Sequence, residues 1–243
     1  MSGMIDVLAE ARPLGELLDN PVWHALHGPH AQYCERVGAG PTASALRYDP
    51  RVTPFSALPD APRSSDWDAL RDLVGPAGGA AMFRAAIEPP AGWTPIVRKR
   101  CHQMLPPASW PRDDAAVSVE PIRDRNLLDA LVNAAKPGPW AERTVELGGF
   151  VGVFDGDALV AAGGHRLRLT GATEISAVCT AETHRGRGLA RAVVRAISDT
   201  IRARGEMPFL HVTTDNTSAI RSYLHLGFTV RRDLEVVVVT APP

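Results

Sequence analysis

The loop Thr183 to Gly188 is the part of this sequence whose residue types and spacing most directly suggest chemistry. Gly186 and Gly188 can adopt positive φ and let a ligand approach the backbone, while Arg185 and Arg187 supply charge and directional donors. An amphipathic helix follows directly, and the first amides of a helix have no internal hydrogen-bond partner. Because these amides and the helix dipole favour anions, the pattern predicts a phosphate- or diphosphate-binding site.

Two familiar phosphate loops do not fit this segment. A Walker loop requires Gly-Lys-Ser or Gly-Lys-Thr, and neither occurs in the chain. A dinucleotide-binding fingerprint places its first glycine directly after a strand, but here Ala181 to Arg185 intervene, and Arg191 occupies the third glycine position. A dinucleotide-dependent oxidoreductase is therefore a third hypothesis, after the two given at the end of this subsection. It predicts that NAD(P) stabilises the protein against heat and that coenzyme A does not.

A different loop pattern, Arg/Gln-x-x-Gly-x-Gly/Ala, is matched by Arg185, Gly188 and Ala190. It resembles the acyl-CoA pyrophosphate loop of the GCN5-related N-acetyltransferases, the GNAT family. A second segment typical of that family, Asn-x-x-Ala-x-x-x-Tyr-x-x-x-Gly-Phe, is filled here by Asn216, Ala219, Tyr223, Gly227 and Phe228. The resemblance extends from near Val117 to the C-terminus. It is closest to the FR47-like branch, which is similar to the C-terminal domain of glycine N-acyltransferase.

Apolar patterning around the loop predicts the elements that must position it. Residues 173–180 and 208–214 have the pattern of short buried strands, and the segment from Leu189 to Ile201 has that of a helix. Asp155 and Gly156 lie between two apolar runs and indicate a hairpin. Together with the resemblance, this order implies an α/β (α+β) fold with a mixed, mostly antiparallel central sheet and flanking helices.

Proline and charge are concentrated in residues 106–114, which predicts a domain boundary there. We predict an N-terminal α/β domain at residues 1–113 and a GNAT N-acetyltransferase domain at residues 114–243. The helix, capped by Ser64 or Ser65, and the two strands expected in the first half suggest a degenerate GNAT-like half. The first half contains no second loop of the Arg-x-x-Gly-x-Gly/Ala type, so we expect a single cofactor site.

The resemblance implies acetyl-CoA as the acyl donor. In the family, the strand matching residues 175–180 diverges from the next strand, so that its unpaired backbone binds pantetheine like an added strand. Asn216 either bonds the pantetheine arm or caps its helix, and both roles are compatible. The cofactor-binding residues predicted on this basis are Val178, Cys179, Thr180, Arg185, Gly186, Arg187, Gly188, Leu189, Ala190, Asn216 and Ala219.

Acyl transfer to an amine requires a base for the ammonium and a proton for the departing thiolate. The resemblance places the Tyr223 phenol near the sulfur of coenzyme A as the proton donor. Glu174 is the candidate base, acting directly or through water. Strand alternation predicts Glu174, Ser176 and Val178 on one face, with Ile175, Ala177 and Cys179 on the other. Cys179 has no neighbouring His or Lys in sequence, so we expect direct transfer without a covalent intermediate.

Composition limits the partners of the chain. The net charge of −1 and the 45% apolar content imply a sizeable core and no general affinity for nucleic acid or membranes. The N-terminus lacks a basic and apolar leader, so we expect a cytoplasmic location, and the composition, rich in arginine and poor in lysine, suggests a high-GC bacterial gene. Cys34 with His24, His27 and His30 suggests metal ligands, but Gly28 and Pro29 interrupt the segment and no second ligand pair follows, so we expect no metal site.

The sequence favours an N-acetyltransferase that acts on a primary amine of a small molecule or peptide. It does not identify this acceptor, and it leaves homodimerisation open. The second hypothesis is a non-catalytic acyl-CoA-binding regulatory domain that has kept the phosphate loop and lost turnover. Tight binding of coenzyme A without thiol release would favour the regulatory domain, and amine-dependent thiol release would favour the enzyme.

Overall fold

The computed structural model describes residues 13–38, 42–111 and 117–243. The helices are α1 (Leu14–Asp19), α2 (Pro21–His27), α3 (Ser64–Val74), α4 (Arg125–Ala135), α5 (Leu189–Ala203) and α6 (Thr217–His225). The strands are β1 (Cys34–Val37), β2 (Ala45–Tyr48), β3 (Ser56–Ala57), β4 (Gly79–Arg84), β5 (Thr94–Leu105), β6 (Glu120–Pro121), β7 (Val151–Asp155), β8 (Ala158–Leu169), β9 (Ala172–Thr180), β10 (Met207–Thr213) and β11 (Thr229–Thr240).

Most of these strands form one eight-stranded sheet in the order β4-β11-β5-β10-β9-β8-β7-β6, and β1, β2 and β3 form a small separate sheet. Within the large sheet β9 and β10 are parallel, and the other adjacent pairs are antiparallel. This arrangement confirms the predicted α/β fold with a mixed, mostly antiparallel sheet. The predicted hairpin is β7–β8, which turns at Gly156 with φ +59°.

The large sheet contains strands from both sides of the predicted boundary at residues 113 and 114. β11 pairs with β4 on one edge and with β5 on the other, and β5 also pairs with β10. Strands from the two sides of the predicted boundary are therefore hydrogen-bonded to each other in one sheet. A proline-rich segment shows that the chain leaves a strand, but pairing between strands far apart in sequence depends on the tertiary fold.

Helix α5 packs on the sheet through the apolar face that the sequence pattern predicts. Val193, Val194, Ile197 and Ile201 are buried together with Leu210 and other residues of the sheet. Each such side chain stabilises the fold by about 1.5–3 kcal/mol on burial. A second cluster joins α4 to β7, β8 and β9, so the sheet around the glycine-rich loop is supported by two helices.

Helix α3 begins differently from the prediction. The expected cap was Ser64 or Ser65, but Ser64 is the first helical residue and Arg63 is the N-cap. The buried Asp66 carboxylate accepts the backbone N–H of Arg63 at 2.7 Å, so a carboxylate inside the first turn caps this end. The C-terminal end follows the prediction, because Gly75 ends the helix with φ +78°.

Candidate active site

The parallel strands β9 and β10 separate at one end. They pair only over Ala172–Ile175 and Met207–Leu210, whereas β9 continues to Thr180 and β10 to Thr213. This confirms the predicted divergence of the two strands. Beyond the last pair, the facing backbone edges are not bonded to each other, and an extended ligand can add to them by β-type hydrogen bonds.

A bulge interrupts β9 at this separation. Ala177 has φ +54°. Between the pair Gly164–Ser176 and the pair Ala162–Cys179, β9 advances by three positions and β8 by only two. Such an extra residue shifts the side-chain alternation by one position. Ile175 and Val178 therefore pack in the cluster that contains α5, whereas Ala177 and Cys179 pack with α4. The predicted grouping of Ile175, Ala177 and Cys179 on one face is wrong for this reason.

The glycine-rich loop presents free backbone amides. Gly186 and Gly188 have φ +77° and +79°, and Gly188 is the N-cap of α5. The amides of residues 186–190 have no acceptor among the described parts of the chain, while the Arg185 amide donates to the Glu182 carbonyl at 3.3 Å. Five successive unbonded donors at a helix N-terminus are suited to an anion, whereas the Arg185 amide is already bonded.

A cavity of about 680 Å³ connects this loop with the separated strands and α6. Most of the predicted cofactor residues line it: Val178, Cys179, Thr180, Arg185, Gly186, Gly188, Leu189, Ala190, Asn216 and Ala219. Tyr223 lines it as well, whereas Arg187 and Glu174 do not. The Arg187 side chain instead donates to the Thr183 carbonyl at 3.3 Å.

Several lining residues carry no sequence signal for such a role. They are Lys99 on β5, Lys136, Pro137 and Gly138 after α4, and Arg191, Ser218 and Ser222 on α5 and α6. With Arg185 this set brings four side-chain cations to the cavity, and Lys99 also pairs with Asp215 at 3.2 Å. A ligand with several negative charges suits these surroundings. Only the fold brings Lys99 and Lys136 to the loop, because each lies far from it in sequence.

Tyr223 lies on α6 at the wall of the cavity. It is partly buried and packs against Phe228 with ring centroids 5.8 Å apart. No hydrogen bond to its hydroxyl is formed within the described ranges, so the O–H is free to meet a ligand. Burial raises the pKa of Tyr223 to about 12, so the phenol is protonated at neutral pH and can donate. Below it, Asn216 Oδ1 caps α6 by accepting the Ala219 amide at 3.1 Å.

Cys179 is buried beside the cavity, and burial raises the pKa of its thiol to about 11. The thiol is therefore almost entirely protonated near neutral pH, and a protonated thiol is a weak nucleophile. The side chain packs in the cluster formed with α4, and this environment gives the thiol no activation as a nucleophile.

Glu174 lies apart from the cavity, on the stretch of β9 before the strands separate. Its side chain is buried, Oε1 accepts from His211 Nδ1 at 2.8 Å, and Oε2 accepts the Leu167 amide at 3.3 Å. His211 is the first residue of β10 after its last pair with β9. The sequence pattern gave no role to His211, because its contact with Glu174 joins two residues 37 positions apart.

Over the described ranges, no three His, Cys, Asp or Glu side chains are arranged to hold a metal ion. Among the helices described, none is long and apolar enough to cross a membrane.

Comparisons with known proteins agree with this geometry. Residues 150–237 match the family model described as FR47-like protein. The chain is 34% identical to a structure from Novosphingobium aromaticivorans assigned to the GNAT family of acetyltransferases, with a TM-score of 0.79 over 93% of this chain and 99% of that one. A GCN5-related N-acetyltransferase from Kribbella flavida has the same fold at 18% identity, covering 96% and 97% of the two chains with a TM-score of 0.66. Comparison with curated proteins gives no match.

Proposed function

Because the chain belongs to the GNAT family of acetyltransferases, we propose that it is an acyl-CoA-dependent N-acyltransferase that moves an acetyl group from acetyl-CoA to a primary amine by direct attack. The observation that carries this proposal is the row of five unbonded amides at residues 186–190, at the mouth of a cavity that reaches the separated strands. The acceptor is a small-molecule or peptide amine.

The residues present fit acetyl-CoA as the acyl-donor substrate. The amides of Gly186 to Ala190 and the Arg185 side chain suit a diphosphate. The unpaired edge of β9 at Val178 to Thr180 suits the two amides of pantetheine, which are donors and acceptors of the β type. Asn216 keeps its side-chain N–H groups available for the ligand, because the cap of α6 uses only its oxygen.

Tyr223 is the proposed general acid. Its hydroxyl faces no acceptor in the described chain, and its raised pKa keeps the proton in place until a stronger base, such as a departing thiolate, comes within reach. The proton would pass to the leaving sulfur as the carbon–sulfur bond breaks. A phenylalanine at this position would keep the packing and remove only the proton.

Glu174 is the proposed general base, acting through water. Neither carboxylate oxygen lines the cavity, and both already accept hydrogen bonds from His211 and Leu167. The carboxylate lies next to the point where β9 and β10 separate, so one or more waters at that point can connect it with a bound amine. The amine must lose a proton to attack, because an alkyl ammonium has no free electron pair.

The second candidate is a non-catalytic domain that binds acyl-CoA. One observation favours it: within the described chain, the cavity lining contains no aspartate or glutamate that could accept the amine proton directly. Turnover separates the two candidates. Thiol release from acetyl-CoA that depends on an added amine supports the enzyme, and tight binding with no release for any amine, amino acid or N-terminal peptide supports the binding domain.

Calorimetry tests the donor site. Coenzyme A is expected to bind at least about 100-fold more tightly than pantetheine, which lacks the diphosphate and the nucleotide. Arg185→Ala should weaken the binding of coenzyme A by about tenfold, because it removes a charge-assisted contact. Arg187→Ala is the matched control and should change it less than about twofold, since that side chain does not line the cavity. Folded protein that takes up no coenzyme A would contradict the proposal.

A further inference from the structure

A chain of hydrogen-bonded polar side chains, partly exposed at Asp19 and Arg231 and buried from Gln103 onward, links the N-terminal helix α1 to Glu174. Asp19 on α1 bonds Arg231 at 2.8 Å, and Arg231 Nη1 donates to Gln103 Oε1 at 2.6 Å. Gln103 Nε2 lies 3.0 Å from His211 Nε2, and His211 Nδ1 lies 2.8 Å from Glu174 Oε1. Gln103 is fully buried, and the side chains of His211 and Glu174 are 4% and 6% exposed.

The orientation of the Gln103 amide follows from its partners. An arginine side chain can only donate, so the group facing Arg231 must be the amide oxygen. The Gln103 nitrogen then faces the Leu18 carbonyl at 2.8 Å and the His211 ring, with one N–H for each. The reversed amide would place the NH2 group of Gln103 against the Arg231 guanidinium, so that two donors would face each other. The hydrogen-bond partners alone therefore fix the orientation of the amide.

The protonation form of His211 follows in turn. The Gln103 nitrogen has no lone pair to offer, so His211 Nε2 must be the acceptor, and the ring proton is on Nδ1. That proton is donated to Glu174 Oε1, which accepts as a carboxylate. Among the described residues, two aromatic rings pack against it, those of Phe83 and Phe209, with centroids 4.8 Å and 5.5 Å away. Phenyl rings carry no competing donor or acceptor of comparable strength.

We propose that Gln103 and Arg231 are positioning residues for the acyl transfer: they hold His211 as its neutral Nδ1–H tautomer, and His211 holds Glu174 as an oriented carboxylate where β9 and β10 separate. This inference rests on the proposed function for its catalytic consequence. Gln103 and Asp19 lie outside the matched residues 150–237. The N-terminal half of the chain thus contributes to the site through this relay as well as through Lys99, and Gln103, Arg231 and Asp19 do not themselves line the cavity.

Nitrogen-detected NMR of the histidine rings tests the tautomer directly in the wild-type protein. The expected spectrum for His211 has a protonated Nδ1 and an unprotonated, hydrogen-bonded Nε2. A proton on Nε2 would overturn the proposal, whatever the activity. This measurement needs no substrate, so it is independent of the proposed function; a wild-type protein that transfers no acyl group would contradict that function and leave the tautomer result intact.

Gln103→Glu tests the catalytic consequence. The new carboxylate offers an acceptor to His211 Nε2, so a proton should appear on that nitrogen, and kcat should fall by at least about tenfold. The dissociation constant of coenzyme A should change less than about threefold, because its cavity is not touched. The same substitution at the exposed Gln32 is the matched control and should leave all three quantities unchanged.

Arg231→Met supplies a second route if Gln103→Glu does not fold. It removes the donor that orients the Gln103 amide, so His211 should show a mixture of tautomers and kcat should fall in the same direction. A purely structural network predicts another result: the melting temperature falls, while kcat of the remaining folded protein stays at the wild-type value. That outcome, or an altered tautomer with unchanged kcat, would refute the positioning role.

Discussion

At the scale of single residues, burial has opposite consequences for two groups: it favours the Tyr223 phenol as a proton donor and disfavours the Cys179 thiol as a nucleophile. Burial raises the pKa of both, to about 12 for the phenol and about 11 for the thiol. A proton donor gains from staying protonated until the leaving group needs the proton, whereas a nucleophile must be deprotonated to act. The same environment therefore supports the phenol as an acid and disfavours the thiol as a nucleophile.

Replacing Tyr223 with phenylalanine should lower kcat by about 100-fold, because general acid catalysis is lost. The KM for acetyl-CoA and the melting temperature should change little, since the ring remains and its hydroxyl forms no hydrogen bond in the described structure. Steady-state thiol release measures the effect. Tyr33→Phe is the control, because that hydroxyl donates to the Glu146 carbonyl away from the cavity. An unchanged kcat in Tyr223→Phe would remove the proposed acid.

Incubation with acetyl-CoA in the absence of an amine should leave Cys179 unmodified. Its raised pKa leaves almost no thiolate at neutral pH, and direct transfer requires no acyl-enzyme. Intact-mass spectrometry of the denatured protein, followed by peptide mapping, is the measurement. A stoichiometric acetyl adduct on Cys179 that an added amine then removes would show that transfer proceeds through the cysteine.

At the scale of elements, the N-terminus of α5 and the separated strands make the site, and neither depends on a particular catalytic side chain. The loop works because two glycines take up positive φ and the amides of residues 186–190 have no acceptor among the described residues. The strands work because the pairing of β9 with β10 ends at Ile175 and Leu210, next to the bulge at Ala177, and leaves their facing backbone edges unpaired. Backbone geometry of this kind is sensitive to a single added Cβ where φ is positive.

Gly188→Ala should weaken binding of coenzyme A by about tenfold, since alanine at φ +79° costs about 1–2 kcal/mol and its Cβ would lie 3.2 Å from Arg191. Gly156→Ala at the β7–β8 turn is the matched control, with φ +59° and open space around the new Cβ. Calorimetry and thermal unfolding are the two measurements. Both variants should lose similar stability, and only Gly188→Ala should lose affinity; an equal loss of affinity in both would show that the effect is not local.

At the scale of the whole molecule, the first half of the chain encloses the side of the sheet that carries Glu174. His30 is buried and bonds the Tyr48 hydroxyl at 2.7 Å, and His165 lies nearby against Gly148. Burial lowers the pKa of both histidines from 6.5 to about 4, so both are neutral in the folded protein at neutral pH. Because the pKa of each histidine is lower in the folded protein than in the unfolded chain, the free energy of unfolding depends on pH.

The free energy of unfolding should fall as the pH is lowered from about 7 to about 5. The unfolded chain takes up protons on these histidines near pH 6.5, whereas the folded protein does not until about pH 4, so acid favours unfolding. His30 alone should account for about 2 kcal/mol over this interval. Urea unfolding at several pH values measures it.

The matched variants for this pH dependence are His30→Gln and His225→Gln. His30→Gln should reduce the dependence between pH 7 and pH 5 by about half, whatever its effect on absolute stability, because His165 keeps its own shift. His225 is exposed, and its replacement should leave the slope unchanged. A wild-type stability that does not vary over this interval would show that these histidines can take up protons without unfolding.

The sequence alone determined the loop, the two helices α5 and α6 beside the cavity, and the succession of β9, α5, β10, α6 and β11 along the chain. Gly186 and Gly188 before α5, and Asn216 and Tyr223 on α6, could be found because capping, positive φ and helical periodicity act over a few residues. Local rules were less reliable where a nearby side chain competed, as at Arg63 and Asp66, or where a bulge reset the alternation of β9.

Only the tertiary structure decided the cations of the cavity and the surroundings of Glu174. Lys99 and Lys136 reach the loop from other elements, and Gln103 meets His211 across 108 residues of sequence. Such contacts depend on which strands become neighbours in the sheet, and β5 joins β10 and β11 through pairings that no short pattern encodes. Local interactions determine where helices and strands form. The pairing of strands that are distant in sequence determines which buried polar groups contact each other.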